Sequence, residues 1–147
     1  MTKELWINLP VQDLHKSKGF FSKLGFSFDP RHQNSNDMAG MVVGDSKIMV
    51  MLFPESTFKN FTGNDISDTR QGTEVLFSID AASREEVDEM VRKAVEAGGT
   101  SFSKPQDEKP QEEKLQDQSW MYGAGFADLD GHCWNVLYMD ISKMPNV

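Results

Sequence analysis

Glu74 is the side chain in this sequence best suited to acid–base chemistry. It lies in Thr73–Ile79, a stretch in which apolar and polar residues alternate. Alternation along a strand puts Glu74 on the face opposite to Val75 and Phe77, which should pack against a helix. A carboxylate held partly out of water on that second face would suit a general acid or base. The alternative is a strand carboxylate that simply faces water.

Two amides and a thiol are the other candidates for a site. Asn8 lies in Leu5–Val11, and Asn135 and Cys133 lie in Cys133–Met139. Both segments alternate like strands, which puts the two amides and the thiol on faces turned away from the helices. Either amide could instead make a structural hydrogen bond. Cys133 has no general base beside it in sequence, so a structural role is favoured over a nucleophilic one.

Methionine and aromatic side chains could form an adaptable apolar wall around a ligand. The alternative for most of them is the core or a dimer contact. The ligand-binding residues predicted from the sequence are Trp6, Asn8, Met49, Met51, Trp120, Tyr122 and Asn135.

The elements that would position these residues follow one order twice. A strand from Leu5 to Val11 is followed by Asp13 as a helix N-cap and by a helix that ends near Gly25. The second helix begins with a capping box of Ser83 and Glu86 and ends at Gly98. The remaining predicted strands are Phe26–Asp29, Met38–Val43, Lys47–Phe53, Thr73–Ile79, Thr100–Ser103, Trp120–Ala127 and Cys133–Met139.

The repeat predicts an α+β fold of two tandem β-α-β-β-β modules within one domain, residues 1–147. Module one spans residues 4–53, a connector with a short helix near Phe58 spans 54–72, and module two spans 73–140. One helix and one sheet cannot close a core alone, whereas two copies can. The polar stretch 104–118 is expected to be a loop, with a lid as the alternative.

Composition narrows the function classes. The net charge is −8 and the basic residues are scattered, which argues against nucleic-acid binding. No run of about 18 apolar residues is present, so no membrane span is expected. One cysteine and no export pattern at the start favour the cytoplasm.

Two motifs resemble those of the glyoxalase/bleomycin-resistance/extradiol-dioxygenase superfamily, also called vicinal oxygen chelate proteins. Asn8–Leu14 with Leu24-Gly25-Phe26 resembles the opening of such a module. Asp128–Val136 resembles the closing hairpin pattern D-x-D-G-H-x-x-E. The resemblance implies curved sheets that form a cleft, in which His, Gln or Glu side chains hold a divalent metal that chelates the substrate.

The residues at the implied ligand positions depart from that pattern. Trp6, Met51, Glu74 and Asn135 occupy them, and only Glu74 is a good ligand for a hard divalent ion. We therefore expect no resident metal. We expect a small molecule to bind in the cleft between the modules, and the chain to form a homodimer. The alternative is an active metal-dependent enzyme, a lactoylglutathione-lyase-like lyase or an extradiol dioxygenase, that uses Zn, Ni, Mn or Fe.

Overall fold

The computed structural model of the chain describes residues 1–102 and 120–144. The chain divides into two compact units, Met1–Gly72 and Thr73–Val147. The predicted loop 104–118 lies outside the described residues. That the two modules belong to a single domain stays a prediction.

The first unit contains one four-stranded sheet and two α-helices. Its elements are β1 (Trp6–Val11), α1 (Leu14–Lys23), β2 (Ser27–Phe28), β3 (Ala39–Val43), β4 (Ile48–Pro54) and α2 (Glu55–Thr62), with a 3₁₀ turn at Pro30–His32. The strands are ordered β1-β4-β3-β2 across the sheet. β1 pairs in parallel with β4, and the other neighbours are antiparallel. The short helix predicted near Phe58 is α2.

Helix α1 begins at a side-chain cap and packs through an aromatic face. The Asp13 carboxylate accepts the Lys16 backbone N–H at 3.0 Å, which satisfies a donor that the first turn leaves unpaired. Phe20 and Phe21 are buried and meet edge to face at a centroid distance of 5.1 Å. Full burial of such a side chain contributes about 1.5–3 kcal/mol. The helix ends before Gly25, whose φ of +98° lies in the left-handed region that favours glycine.

The second unit repeats the strand order of the first. Its elements are β5 (Leu76–Asp80), α3 (Arg84–Glu96), β6 (Thr100–Ser101), β7 (Met121–Ala127) and β8 (Cys133–Met139), with a 3₁₀ turn at Ile141–Lys143. The strands are ordered β5-β8-β7-β6, with β5 parallel to β8. The predicted α+β fold of two β-α-β-β-β modules is therefore confirmed.

Helix α3 has the predicted N-terminal cap. The Ser83 hydroxyl accepts the Glu86 backbone N–H at 3.1 Å, and the Glu86 carboxylate accepts the backbone N–H of Ala82. Val87 and Ala94 are fully buried on the face that packs against the sheet. None of the helices in the described residues is long and apolar enough to cross a membrane.

Strand β5 begins later than predicted. The pattern Thr73–Ile79 suggested a strand from Thr73, whereas the ladder starts at Leu76. Its partner explains the difference, because Leu76 lies opposite Cys133, the first residue of β8. Residues before Leu76 have no strand residue of β8 to pair with.

Candidate functional site

The second sheet has one face covered by α3 and one face that α3 does not cover, which we call open face two. Trp134 and Val136 of β8 are buried on the covered face. Asn135 lies between them in sequence and therefore points to open face two. It is half-buried. Its cross-strand neighbours are Ser78 on β5 and Gly125 on β7.

Phe102 completes the row on the far side of Gly125. Its backbone N–H is directed at the Gly125 carbonyl at 3.4 Å, so the chain continues beside β7 past the end of β6. A Cβ built on Gly125 would come within 2.1 Å of the Phe102 ring, which places that ring on open face two. Phe102 is 52% exposed. The row across this face therefore reads Ser78, Asn135, Gly125 and Phe102.

A second glycine, Gly123, lies on the same face of β7, opposite Leu137. A Cβ on Gly123 would lie 2.6 Å from Leu137 Cδ2, so the Leu137 side chain leans over the bare strand. Phe102 leans over Gly125 in the same way from the other neighbouring strand. Leu137 and Phe102 are thus the apolar neighbours of the two glycines, on the face that carries Asn135.

Asn135 and Ser78 supply hydrogen-bonding groups on open face two. Within the described residues, the side chains of Asn135 and Ser78 make no hydrogen bond. An amide carries two donors and two acceptor sites, and a hydroxyl adds one donor. Cys133 lies on the same face, and its Sγ is 3.8 Å from the Thr73 hydroxyl oxygen. Open face two thus combines a hydrogen-bonding centre with apolar flanks.

Glu74 is not part of this row, and the expectation for its position is corrected. It lies two residues before β5, is exposed, and has no partner in the β5–β8 ladder. The β5 residue beside Asn135 is Ser78. Ser78 is four residue steps beyond Glu74, which corresponds to about 13 Å in an extended chain. The late start of β5 is the physical reason.

The ligand-binding role predicted for Tyr122 stays a prediction, and its side chain contacts α3. Its hydroxyl donates to Asp88 Oδ1 on α3 at 2.5 Å, and the Arg84 guanidinium lies 5.2 Å from its ring centroid. Tyr122 therefore lies on the face that α3 covers. Trp120 is half-buried in the turn before β7, and its carbonyl accepts the Asp140 backbone N–H at 2.6 Å. A binding role for Trp120 stays a prediction.

The first sheet has an equivalent surface, open face one, opposite the face on which Leu9, Val50 and Leu52 are buried. Trp6 and Asn8 on β1 are exposed there and pair with Met49 and Met51 on β4. These four residues share one face as predicted, and their binding roles stay predictions.

Gly40 shapes this surface. A Cβ at that position would lie 2.6 Å from Met49 Cε and 3.3 Å from Met51 Sδ. Open face one is therefore a shallow thioether surface with an indole at one end, Trp6 being 63% exposed.

The side chains do not fit the divalent metal that the resemblance implies. The four implied positions carry the indole of Trp6, the thioether of Met51, the amide of Asn135 and the carboxylate of Glu74, which lies outside the strand. A divalent site normally draws at least three good donors from the protein. Across residues 1–102 and 120–144, no three His, Cys, Asp or Glu side chains are grouped in a way that could hold a metal ion.

Asp128 organises the turn that leads into β8. Its Oδ1 accepts the backbone N–H groups of Asp130 and His132, each at 3.0 Å, and its Oδ2 accepts the Trp134 indole N–H at 3.1 Å. Burial raises the pKa of this carboxyl, while the charge of His132 and the donated hydrogen bonds oppose the shift. The network fixes the entry to β8 and so helps to set where Asn135 lies.

Sequence reasoning missed Ser78, Gly125 and Phe102. The only signal for the glycine was its repetition at alternate positions, Gly123 and Gly125, within a predicted strand, which is typical of a close approach by another group. Ser78 was predicted to share a face with Glu74 but was not singled out.

Comparison with known proteins gives a consistent result. Residues 3–44 match a family model described as bleomycin resistance protein-like N-terminal. A hypothetical protein from S. aureus has 34% sequence identity and a TM-score of 0.75, and the match covers 94% of this chain and 95% of that chain. No curated protein matches the sequence.

More distant structures share the fold. A glyoxalase/bleomycin resistance protein/dioxygenase family enzyme from Burkholderia phytofirmans has 17% identity and a TM-score of 0.68, with 91% of this chain and 96% of that chain covered. A genomically encoded fosfomycin resistance protein from Listeria monocytogenes has 17% identity and a TM-score of 0.63, with 97% and 95% covered. With its two β-α-β-β-β modules, the chain has the fold of glyoxalase/bleomycin resistance/dioxygenase family structures, and its residues 3–44 match the bleomycin resistance protein-like family model.

Proposed function

We propose that this chain binds a small organic molecule on open face two, through Asn135 and without a resident metal. The observation that carries the proposal is the row of Ser78, Asn135, Gly125 and Phe102 across the second sheet. A ligand with a hydrogen-bonding head group and a flat apolar body matches this row. The head would meet the amide and hydroxyl, and the body would lie against the Phe102 ring.

Local charge favours a ligand without negative charge. Asp80 lies on the same face as Ser78, two residues further along β5, and is exposed. The chain as a whole carries a net charge of −8. An anionic head group would be repelled, whereas a neutral amide or an amine would not. The proposed ligand class is therefore an uncharged or cationic aromatic compound.

A probe series of similar shape tests this proposal. Benzamide, benzylamine and benzoate have the same ring and differ in the charge of the head group. We expect benzamide and benzylamine to shift backbone amide signals of β5, β7 and β8 in a nuclear magnetic resonance titration, and benzoate to shift them far less. Asn135→Leu should remove the benzamide response, because the half-buried amide that would recognise the polar head group is replaced by an apolar side chain.

Asn60→Leu provides the matched control. Asn60 is exposed on α2, in the other unit, so the same substitution there should leave the titration unchanged. Equal loss in both variants, or shifts that avoid β5, β7 and β8, would contradict the proposed site.

A further inference from the structure

A second concavity lies in the first unit, beside helix α1. Its volume is about 560 Å³. Three stretches of chain line it: the start of α1, the loop after the 3₁₀ turn, and the end of β4. The lining residues are Gln12, Asp13, Leu14, His15, Lys18, Gln33, Asn34, Ser35, Asn36 and Pro54. Eight of these ten side chains are polar or charged, so the wall differs in chemistry from both open faces.

Hydrogen bonds hold the loop side of the cavity in place. The Gln33 backbone N–H donates to the Pro30 carbonyl at 3.2 Å, and the Ser35 N–H donates to the His32 carbonyl at 3.1 Å. The Ser35 hydroxyl accepts the Asp37 N–H at 3.1 Å. Because these bonds hold the loop in place, less conformational entropy is lost when a ligand binds.

Lys18 is the cation of this wall. Its ammonium donates to the Gln33 carbonyl at 3.2 Å, which ties the helix to the loop and leaves two further N–H donors. In the part of the chain that the structure describes, Lys18 forms no ion pair with a carboxylate. Lys18 is half-buried as a residue, and its positive charge faces the cavity in a chain with a net charge of −8.

The other charges near Lys18 are mostly positive as well. Helix α1 carries Lys16, Lys18 and Lys23 and contains no acidic residue. Asp13 is the one carboxylate among the ten lining residues, and its Oδ1 accepts the Lys16 N–H. The side chains of Asn34 and Asn36 make no hydrogen bond within the described residues and add amide donors on the opposite wall.

From this arrangement we infer a second binding site, for a small oxyanion of the carboxylate or phosphate class, held by Lys18 with the amides of the facing loop. A charge-assisted hydrogen bond from an ammonium is about twice as strong as a neutral one, so Lys18 should dominate the affinity. This site lies in the first unit and takes an anionic ligand, whereas open face two lies in the second unit and takes an uncharged or cationic one.

Titration of the full chain with inorganic phosphate and with citrate, each at constant ionic strength set with chloride, tests the inference. We expect saturable shifts of the amide signals of residues 12–18 and 33–36 in nuclear magnetic resonance spectra. A stronger response to phosphate than to citrate would assign the phosphate class, and the reverse would assign the carboxylate class. Absence of saturation with both anions would overturn the inference.

Lys18→Gln should weaken binding at least about tenfold, because the charge is lost while the side-chain length is nearly kept. Lys23→Gln removes the same charge from the last turn of α1, outside the cavity, and should change binding less than about twofold. Equal weakening by the two substitutions would mean a general attraction to the helix and would also overturn the site. An unchanged pattern of remaining signals shows that each variant is folded.

Discussion

The Phe102 ring lies so close to Gly125 that a Cβ atom at position 125 would come within 2.1 Å of two ring carbons. The ring thus occupies space that any other residue at position 125 would fill. This contact between Gly125 of β7 and the residue that follows β6 gives open face two its aromatic side. An aromatic residue over a cross-strand glycine also shields that backbone from water.

Gly125→Ala should therefore displace the ring and destabilise the protein. Inserting a methyl group into a packed contact costs about 1–3 kcal/mol. Chemical denaturation measures the loss, and benzamide affinity should fall as well. Gly19→Ala is the control, because a Cβ at position 19 meets nothing within 4 Å and the residue lies inside α1. That control should stabilise the protein by about 0.5–1 kcal/mol, and destabilisation of both variants would contradict the packing account.

Asp128→Asn should destabilise the protein, because an amide N–H₂ would face one of the N–H donors that the carboxylate now accepts. The expected loss is about 1–3 kcal/mol. Asp45→Asn, at an exposed turn residue, should change stability by less than about 0.5 kcal/mol. Urea denaturation at pH 7 compares the two variants.

The difference in unfolding free energy between the parent protein and Asp128→Asn should depend on pH. Burial raises the pKa of Asp128, so folding favours its protonated form. This contribution to stability is fully present below the pKa of an unfolded aspartate, about 3.9, and is lost as the pH rises through the folded pKa. The unfolding free energy of the parent protein relative to Asp128→Asn should therefore fall as the pH is raised from about 4. If the difference instead grows over that range, the hydrogen bonds lower the pKa of Asp128 by more than burial raises it.

Tyr122→Phe should lower stability without affecting ligand binding. The substitution removes the hydroxyl that donates to Asp88, and a bond of this kind contributes about 0.5–1.5 kcal/mol. Tyr138→Phe is the matched control. Tyr138 lies opposite Tyr122 on the same face and makes no side-chain hydrogen bond within the described residues. A loss of benzamide binding on Tyr122→Phe alone would place the ligand on the wrong face of the sheet for this account.

The two-module fold followed from the sequence because periodicity and caps agree in both halves. Asp13 and Ser83 each cap a helix as predicted, and the β8 range matches the predicted one. The start of β5 could not be read in the same way, since alternation in Thr73–Ile79 continues beyond the point where the partner strand ends. Local pattern does not encode where a neighbouring strand stops.

The candidate site was predictable only in part. Asn135 was found from alternation, but its neighbours Ser78 and Phe102 depend on register across three strands, which alternation within one strand does not fix. The face of Tyr122 was not readable either, because β7 has small residues on both faces: Ala124 on one, Gly123 and Gly125 on the other. The small residues on both faces weaken the alternation that would show which face a helix covers.

Thermal melting with metal ions and with benzamide tests the central claim most directly. A ligand that binds only the folded state raises its stability by about 2.7 kcal/mol at a concentration one hundred times its dissociation constant. We expect a concentration-dependent rise in the melting temperature with benzamide, absent in Asn135→Leu, and no such rise with Zn²⁺, Ni²⁺, Mn²⁺ or Fe²⁺. A rise with one of these ions that Glu74→Ala or Asn135→Leu abolishes, together with no response to benzamide, would contradict metal-free binding and favour a metal-dependent enzyme.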